Sequence, residues 1–148
     1  VKKDLVKQEL LRIAKEHGGE LRAEVVVDAA KSKTSPLHDK FTWDDSEAAK
    51  EYRLWQARQL IVSVRVEYVG GEVQEIGQVF VSLTPDRVKE GGGYRVLSEV
   101  MTNSTRRQQL LEDAYAEMER FRQKYAVLKE LAEVFTAMRK VTGRKKAA

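Results

Sequence analysis

Apolar residues recur at three- and four-residue steps from the start of the chain. Leu5, Val6, Leu10, Ile13 and Ala14 predict a first helix over 4–17. His17 falls in its last turn, where a cation suits the carbonyl end, and Gly18 supplies a left-handed stop. A second helix is predicted over 22–31, because Leu21, Val25 and Ala29, with Val26 and Ala30, make stripes at four-residue spacing. The β-branched run Val25-Val26-Val27 makes a strand the competing reading. After a polar break at 32–34, Ser35-Pro36 opens a short turn that carries Leu37 and Phe41 inward. Asp44, with Glu47 three residues on, makes a capping pattern for a third helix over 44–59. Ala48, Ala49, Tyr52, Trp55 and Ala57 are among its non-polar positions.

The period then changes from helical to alternating. Val62, Val64, Val66 and Tyr68 interleave with Ser63, Arg65 and Glu67, which predicts a half-buried strand. Gly70-Gly71 is a tight hairpin turn, and the return strand carries Val79, Val81 and Leu83 on one face with a bulge at Gly77. Thr84-Pro85-Asp86 reads as a turn and Gly91-Gly92-Gly93 as a loop of positive φ. Residues 94–100 read as a third strand pairing back onto the second.

Asn103 or Ser104 then caps a last helix. No Gly or Pro occurs from there to Thr142, and Leu111, Ala114, Met118, Phe121, Tyr125, Leu128, Ala132 and Phe135 alternate steps of three and four. That is a heptad-like seam. One helix over this span would be roughly 55–60 Å long at about 1.5 Å per residue. A head of about a hundred residues could not cover it. Such a span must either double back as a hairpin, for which it offers no obvious turn, or meet a second copy. The second is favoured and predicts a homo-oligomer, a coiled coil formed through Leu111, Met118, Phe121, Tyr125, Leu128 and Phe135. The basic tail 143–148 is expected to be loose.

Together these elements predict an α+β fold. Residues 1–90 would form a winged-helix-like domain of three helices plus an antiparallel hairpin or small sheet. Residues 91–148 would add a third strand, the long oligomerising helix and the tail.

Composition narrows the picture. At 148 residues, 42% hydrophobic and 34% charged, the chain has a globular balance. The formal net charge of +4 permits an acidic partner such as DNA or RNA. The absence of Cys excludes disulfides and Cys-based zinc sites. No run approaches the roughly 18 consecutive apolar residues of a membrane span. The charged start Val1-Lys2-Lys3-Asp4 has no apolar leader core. These observations predict no membrane association and a cytoplasmic protein.

A winged helix on DNA places its third helix in the major groove and its wing near the backbone. The outward candidates on that helix are Lys50, Arg53, Gln56 and Arg58, with Arg65 on the first strand and Lys31, Lys33 and Lys40 flanking. Arg and Lys neutralise phosphates, and Arg or Gln reaches base edges with paired hydrogen bonds. Glu47 and Glu51 make the face mixed, and the bland alternative is a solvated charged surface. Phe41, Trp43, Tyr52 and Trp55 could form a stacking platform for single-stranded bases. Their helical spacing and apolar neighbours favour core packing. His38, Asp39, Asp44 and Asp45 lack any recognised metal-ligand spacing, so no metal site is expected. The triple glycine with Lys89 and Arg95 nearby lacks the spacing of a nucleotide loop. No Ser-His-Asp or paired-carboxylate arrangement can be assembled, so the expectation is a non-enzymatic protein without a cofactor.

The run Ser-Pro-Leu-His-x-x-Phe-x-Trp-Asp-Asp-x-x-Ala-Ala-x-x-Tyr-Arg-x-x-Gln-Ala-Arg-x-Leu-Ile at 35–61 resembles a group of small bacteriophage and prophage proteins of unassigned function. Residues 80–87, 91–95 and 128–138 resemble the same group. The resemblance implies a phage origin and a bacterial host's cytoplasm or a virion as location. It carries no functional residues. The sequence thus predicts a phage-encoded nucleic-acid-binding or regulatory protein. The alternatives are a virion structural or assembly component, or a modulator that docks on a host protein through the aromatic third helix.

Overall fold

The computed structural model describes residues 2–43, 46–70 and 73–147. It is a mixed α+β fold, mostly helical, with small antiparallel sheets. Helix α1 (Lys2–Glu16) ends as its sequence demands: Gly18 takes φ 67° and His17 Nδ1 lies 2.8 Å from the Ile13 carbonyl oxygen. Strand β1 (Glu20–Leu21) follows and is not foreshadowed in the sequence, since two residues carry no readable alternation. Helix α2 (Ala23–Ala30) keeps its β-branched run helical, because Val26 and Val27 are buried and packing outweighs propensity.

A sixteen-residue connection, 31–46, separates α2 from helix α3 (Glu47–Ser63). It is longer than the three- or four-residue turn of a helix-turn-helix. It holds a one-turn 3-10 helix, His38–Lys40, and buries Leu37 and Phe41. The expected cap Asp44 lies outside the described residues. Ser46 caps the helix instead, its Oγ accepting the Ala49 N–H at 3.2 Å. Helix α3 also runs four residues beyond its expected end at 59, so Val62 and Ser63 are helical and the strand starts later.

Strands β2 (Arg65–Gly70) and β3 (Val73–Gln78) form a hairpin of their own. The predicted turn residue Gly71 lies outside the described residues. The expected bulge at Gly77 is absent, since Gly77 pairs in register with Val66 and pairing is continuous from Arg65↔Gln78 to Gly70↔Val73. The ladder breaks one step later, before β4 (Phe80–Val81). Strand β5 (Tyr94–Val96) lies between β1 and β4 in a second, three-stranded sheet. It stops at Val96, where α5 (Leu97–Thr102) begins, so the expected strand over 94–100 is half helix. The predicted turn at Thr84 is the short helix α4 (Thr84–Arg87), with Pro85 in its first turn. One core joins Leu10 and Ile13 of α1, Val26 of α2, Ile61 of α3, Phe80 of β4 and Val96 of β5.

The single long carboxy-terminal helix is not what forms. Asn103 caps α6 (Ser104–Lys124), accepting the Arg106 N–H at 3.0 Å. The chain then turns at residues 125–128, passes through a 3-10 turn (Lys129–Leu131), and returns as α7 (Ala132–Ala147). The reversal needs neither Gly nor Pro. Tyr125 sits at φ −110°, ψ 16°, Leu128 at φ −82°, ψ 99°, and the Leu128 N–H donates to the Tyr125 carbonyl at 2.9 Å. Folding back brings Phe135 to 6.3 Å from Phe121, which also packs on Tyr125 at 4.9 Å. Of the predicted seam, Phe135 is buried inside this hairpin and Met118 and Tyr125 are half-buried. Leu111, Phe121 and Leu128 remain exposed. The tail expected to be loose continues α7 through Gly143 to Ala147.

Asp113 ties this hairpin to the sheet region. From α6 it accepts the Thr84 N–H (2.9 Å), the Thr84 hydroxyl (2.7 Å) and the Gln109 amide (2.9 Å), and it pairs with Arg87 at 3.3 Å. Burial acts to raise its pKa, but these hydrogen bonds and the Arg87 charge together hold it below the usual aspartate value. A carboxyl lowered in the folded state binds fewer protons than in the unfolded chain, so stability falls as pH drops through that window. Asp113→Ala is expected to cost about 1–3 kcal/mol at neutral pH. It should also flatten the part of the acid-unfolding curve below about pH 4, the unfolded aspartate's range. Urea melts at pH 7 and pH 3 check both expectations.

Candidate nucleic-acid interface

Helix α3 turns Arg53, Ala57 and Ile61 into the molecule. Four-residue spacing makes these one stripe, with Leu54, Leu60 and Val64 packed on its edges. Arg53 is therefore not an outward residue. Only 9% exposed, it donates from Nη1 to the Thr42 carbonyl at 3.1 Å and stands 5.4 Å from the Trp43 ring centroid. Gln56 is also used internally, its Oε1 accepting the Thr42 N–H at 3.2 Å. Trp43 stacks on His38 at 5.1 Å and donates to the His38 carbonyl, while His38 Nδ1 lies 2.8 Å from the Ala30 carbonyl oxygen. The most distinctive part of the sequence, His38 to Gln56, is thus largely a fastening of the α2–α3 connection onto α3.

The remaining predicted contacts scatter. Lys50 pairs with Glu47 at 2.5 Å on the open surface, where such pairs contribute little. Lys33 is exposed in the turn after α2. Lys40 and Arg65 meet at a groove between α1 and the end of α3, beside Lys7 and Asp4. Arg65 also caps α3 there, donating to the carbonyls of Val62 and Val64, which satisfies the negative end of the helix.

Arg58 is different. It is half-buried, it makes no hydrogen bond or ion pair with the described residues, and it lines an open groove of about 520 Å³. Arg87 and Lys89 line the same groove across from it, with the Gly91-Gly92-Gly93 loop and Tyr94. Gly91 and Gly92 take φ 77° and 64°, a left-handed backbone that strains any side-chain-bearing residue, so the tight loop favours glycine. Lys89 is partly balanced by Asp86 (3.4 Å) and Glu20 (3.6 Å), and Arg87 by Asp113. Arg95 lies beside the loop in β5, as expected, but it is committed to a two-pronged bond with buried Asp86, both distances being 2.7 Å.

Next to Arg58 on the surface of α3 stand Tyr52 and Trp55. They are 49% and 51% exposed and stack on each other at 5.5 Å and 15°. Core packing, expected for all four aromatics of this region, holds for Phe41 at 8% exposure and fails for these two and for Trp43, which stays 38% exposed. The apolar pattern of α3 misleads, because its inward stripe contains an arginine and its outward stripe the large rings. Sequence reading also misses Arg87 and Tyr94, which only the α4 turn and β5 bring to the groove.

Among the described residues no group of His, Cys, Asp or Glu side chains could hold a metal ion. No described helix is long and apolar enough to cross a membrane. No family model, curated protein or solved structure matches the chain.

Proposed function

We propose that this is a phage-encoded, non-enzymatic nucleic-acid-binding protein that works through the outer face of α3. The observation that carries the reading is the uncommitted Arg58. It sits between two exposed stacked aromatics and a groove that adds Arg87, Lys89 and a glycine loop. Guanidinium and ammonium groups neutralise phosphates, and a glycine loop lets a backbone approach closely. The order α1–β1–α2–α3 followed by a hairpin supports a winged-helix-like description. The hairpin itself is a poor phosphate contact, since residues 65–78 carry Arg65 against Glu67, Glu72 and Glu75. The phage origin rests on the resemblance of the 35–61 pattern. The test is binding of labelled oligonucleotides at low and moderate salt, because phosphate contacts must weaken as salt rises.

A second reading has its own support. Helix α6 has no fully buried residue, and Leu111, Phe121, Leu128, Val134 and Val141 are exposed on the α6–α7 hairpin. Such surface favours self-association, either as a dimer that presents two α3 faces or as a repeating contact in a virion. Mass in solution separates the two, a closed dimer from a large or concentration-dependent assembly.

A further inference from the structure

Resting on the nucleic-acid reading above, we infer that the strand bound at α3 is single, with a base stacked on the Tyr52–Trp55 pair and its phosphate in the groove beside Arg58. The two rings already stack face to face and are half open to solvent. A third flat ring extends such a stack. In a duplex both faces of every base are covered by neighbours, so the platform can serve only unstacked bases or flipped ones. Two aromatics held together on a rigid helix also exceed the scattered single apolar residues normal on a surface.

The phosphate half follows from position. Arg58 is three residues after Trp55, so their Cβ atoms lie about 5–6 Å apart on one side of the helix. From Arg58 the groove continues to Arg87, Lys89 and the glycine loop. A chain whose base lies on Trp55 thus meets cations at the next step along its backbone. Glu51 lies on the same flank, two helical turns before Arg58, and limits the cationic track to the Arg58 end. The face offers little for reading a major groove. Around the rings stand Ala48, Glu51 and Gln59, and the residues expected to read bases, Arg53 and Gln56, are occupied in holding Thr42.

The test measures fluorescence anisotropy of the full chain with labelled twenty-nucleotide dT, the same length of U, and a twenty-pair duplex at equal salt. The expected result is tighter binding of a single strand than of the duplex. Trp55→Ala should weaken single-strand binding by roughly five- to a hundredfold, while Trp55→Phe stays within a few-fold of wild type. The dT and U arms tell DNA from RNA as the preferred source of the strand. Trp55 is half-exposed, and unchanged thermal melts of the variants remove misfolding as an explanation. Equal or better duplex binding overturns the inference and leaves the nucleic-acid reading standing, as does a Trp55→Ala variant that binds single strands like wild type. Binding of none of the probes overturns both.

Discussion

Asp86→Ala is expected to destabilise the fold by about 3–5 kcal/mol, the cost of leaving a buried charge without its partner. Asp86 is 2% exposed and receives both prongs of the Arg95 guanidinium at 2.7 Å, with Lys89 at 3.4 Å. The Asp86 hydrogen bonds, working against burial, raise the Arg95 pKa, and an arginine stays charged even without them, so the variant keeps its guanidinium cation. Glu20, 3.7 Å away and paired with Arg95 across β1 and β5, compensates only in part. Replacing Asp86 and Arg95 together by apolar residues should cost far less than Asp86→Ala alone, because no orphaned charge remains. Urea denaturation of the single and double variants checks this. A loss below about 1 kcal/mol for Asp86→Ala would show that the pair is not buried as described. The pair joins α4 to β5 and so fixes both ends of the glycine loop, and binding at the Arg58 groove should fall with it.

Phe80→Ala is the second large effect, expected at about 3–5 kcal/mol. Phe80 is 1% exposed in β4, paired with Val96 of β5 and packed into the core shared by α1, α2 and α3. Truncating it leaves a cavity that the short two-residue strand cannot close by moving without losing its pairing. For a chain of this length the thermal midpoint should drop by roughly 10 °C. The same substitution at Tyr52, half exposed on α3, should leave the midpoint nearly unchanged. Equal drops at the two positions would mean that Tyr52 packs in the core and that the outer face of α3 is misassigned.

The helices with clean apolar stripes are legible in the sequence. Leu10, Ile13 and Ala14 of α1 and Val26 and Ala30 of α2 are buried as their spacing requires. The α2 helix tolerates a β-branched run for the same reason. What escapes is structure made by tertiary contact. Strand β1 exists only because β5 pairs with it, and β5 reaches it only through the glycine loop. The reversal at residues 125–128 leaves no mark, since non-glycine residues in ordinary conformations make it and the three-and-four spacing continues across it. At the candidate site Arg58 and Lys89 are legible as cations near a helix and a loop, but not as neighbours. Arg53 and Tyr52–Trp55 exchange places with expectation: the charge goes in and the rings stay out. A stripe of Arg53, Ala57 and Ile61 reads as less apolar than one of Tyr52 and Trp55, yet Thr42 and Trp43 give the guanidinium a place to be buried.

If Arg58 and the groove beside it meet the phosphates of a nucleic acid, the most direct test is the slope of log affinity against log salt. It is measured for the wild-type chain and for Arg58→Ala. The predicted result is a salt-dependent affinity whose slope shrinks by about 0.7–0.9 in the variant, as removing one phosphate-neutralising cation requires. Affinity that ignores salt, or an unchanged slope in Arg58→Ala, would contradict it.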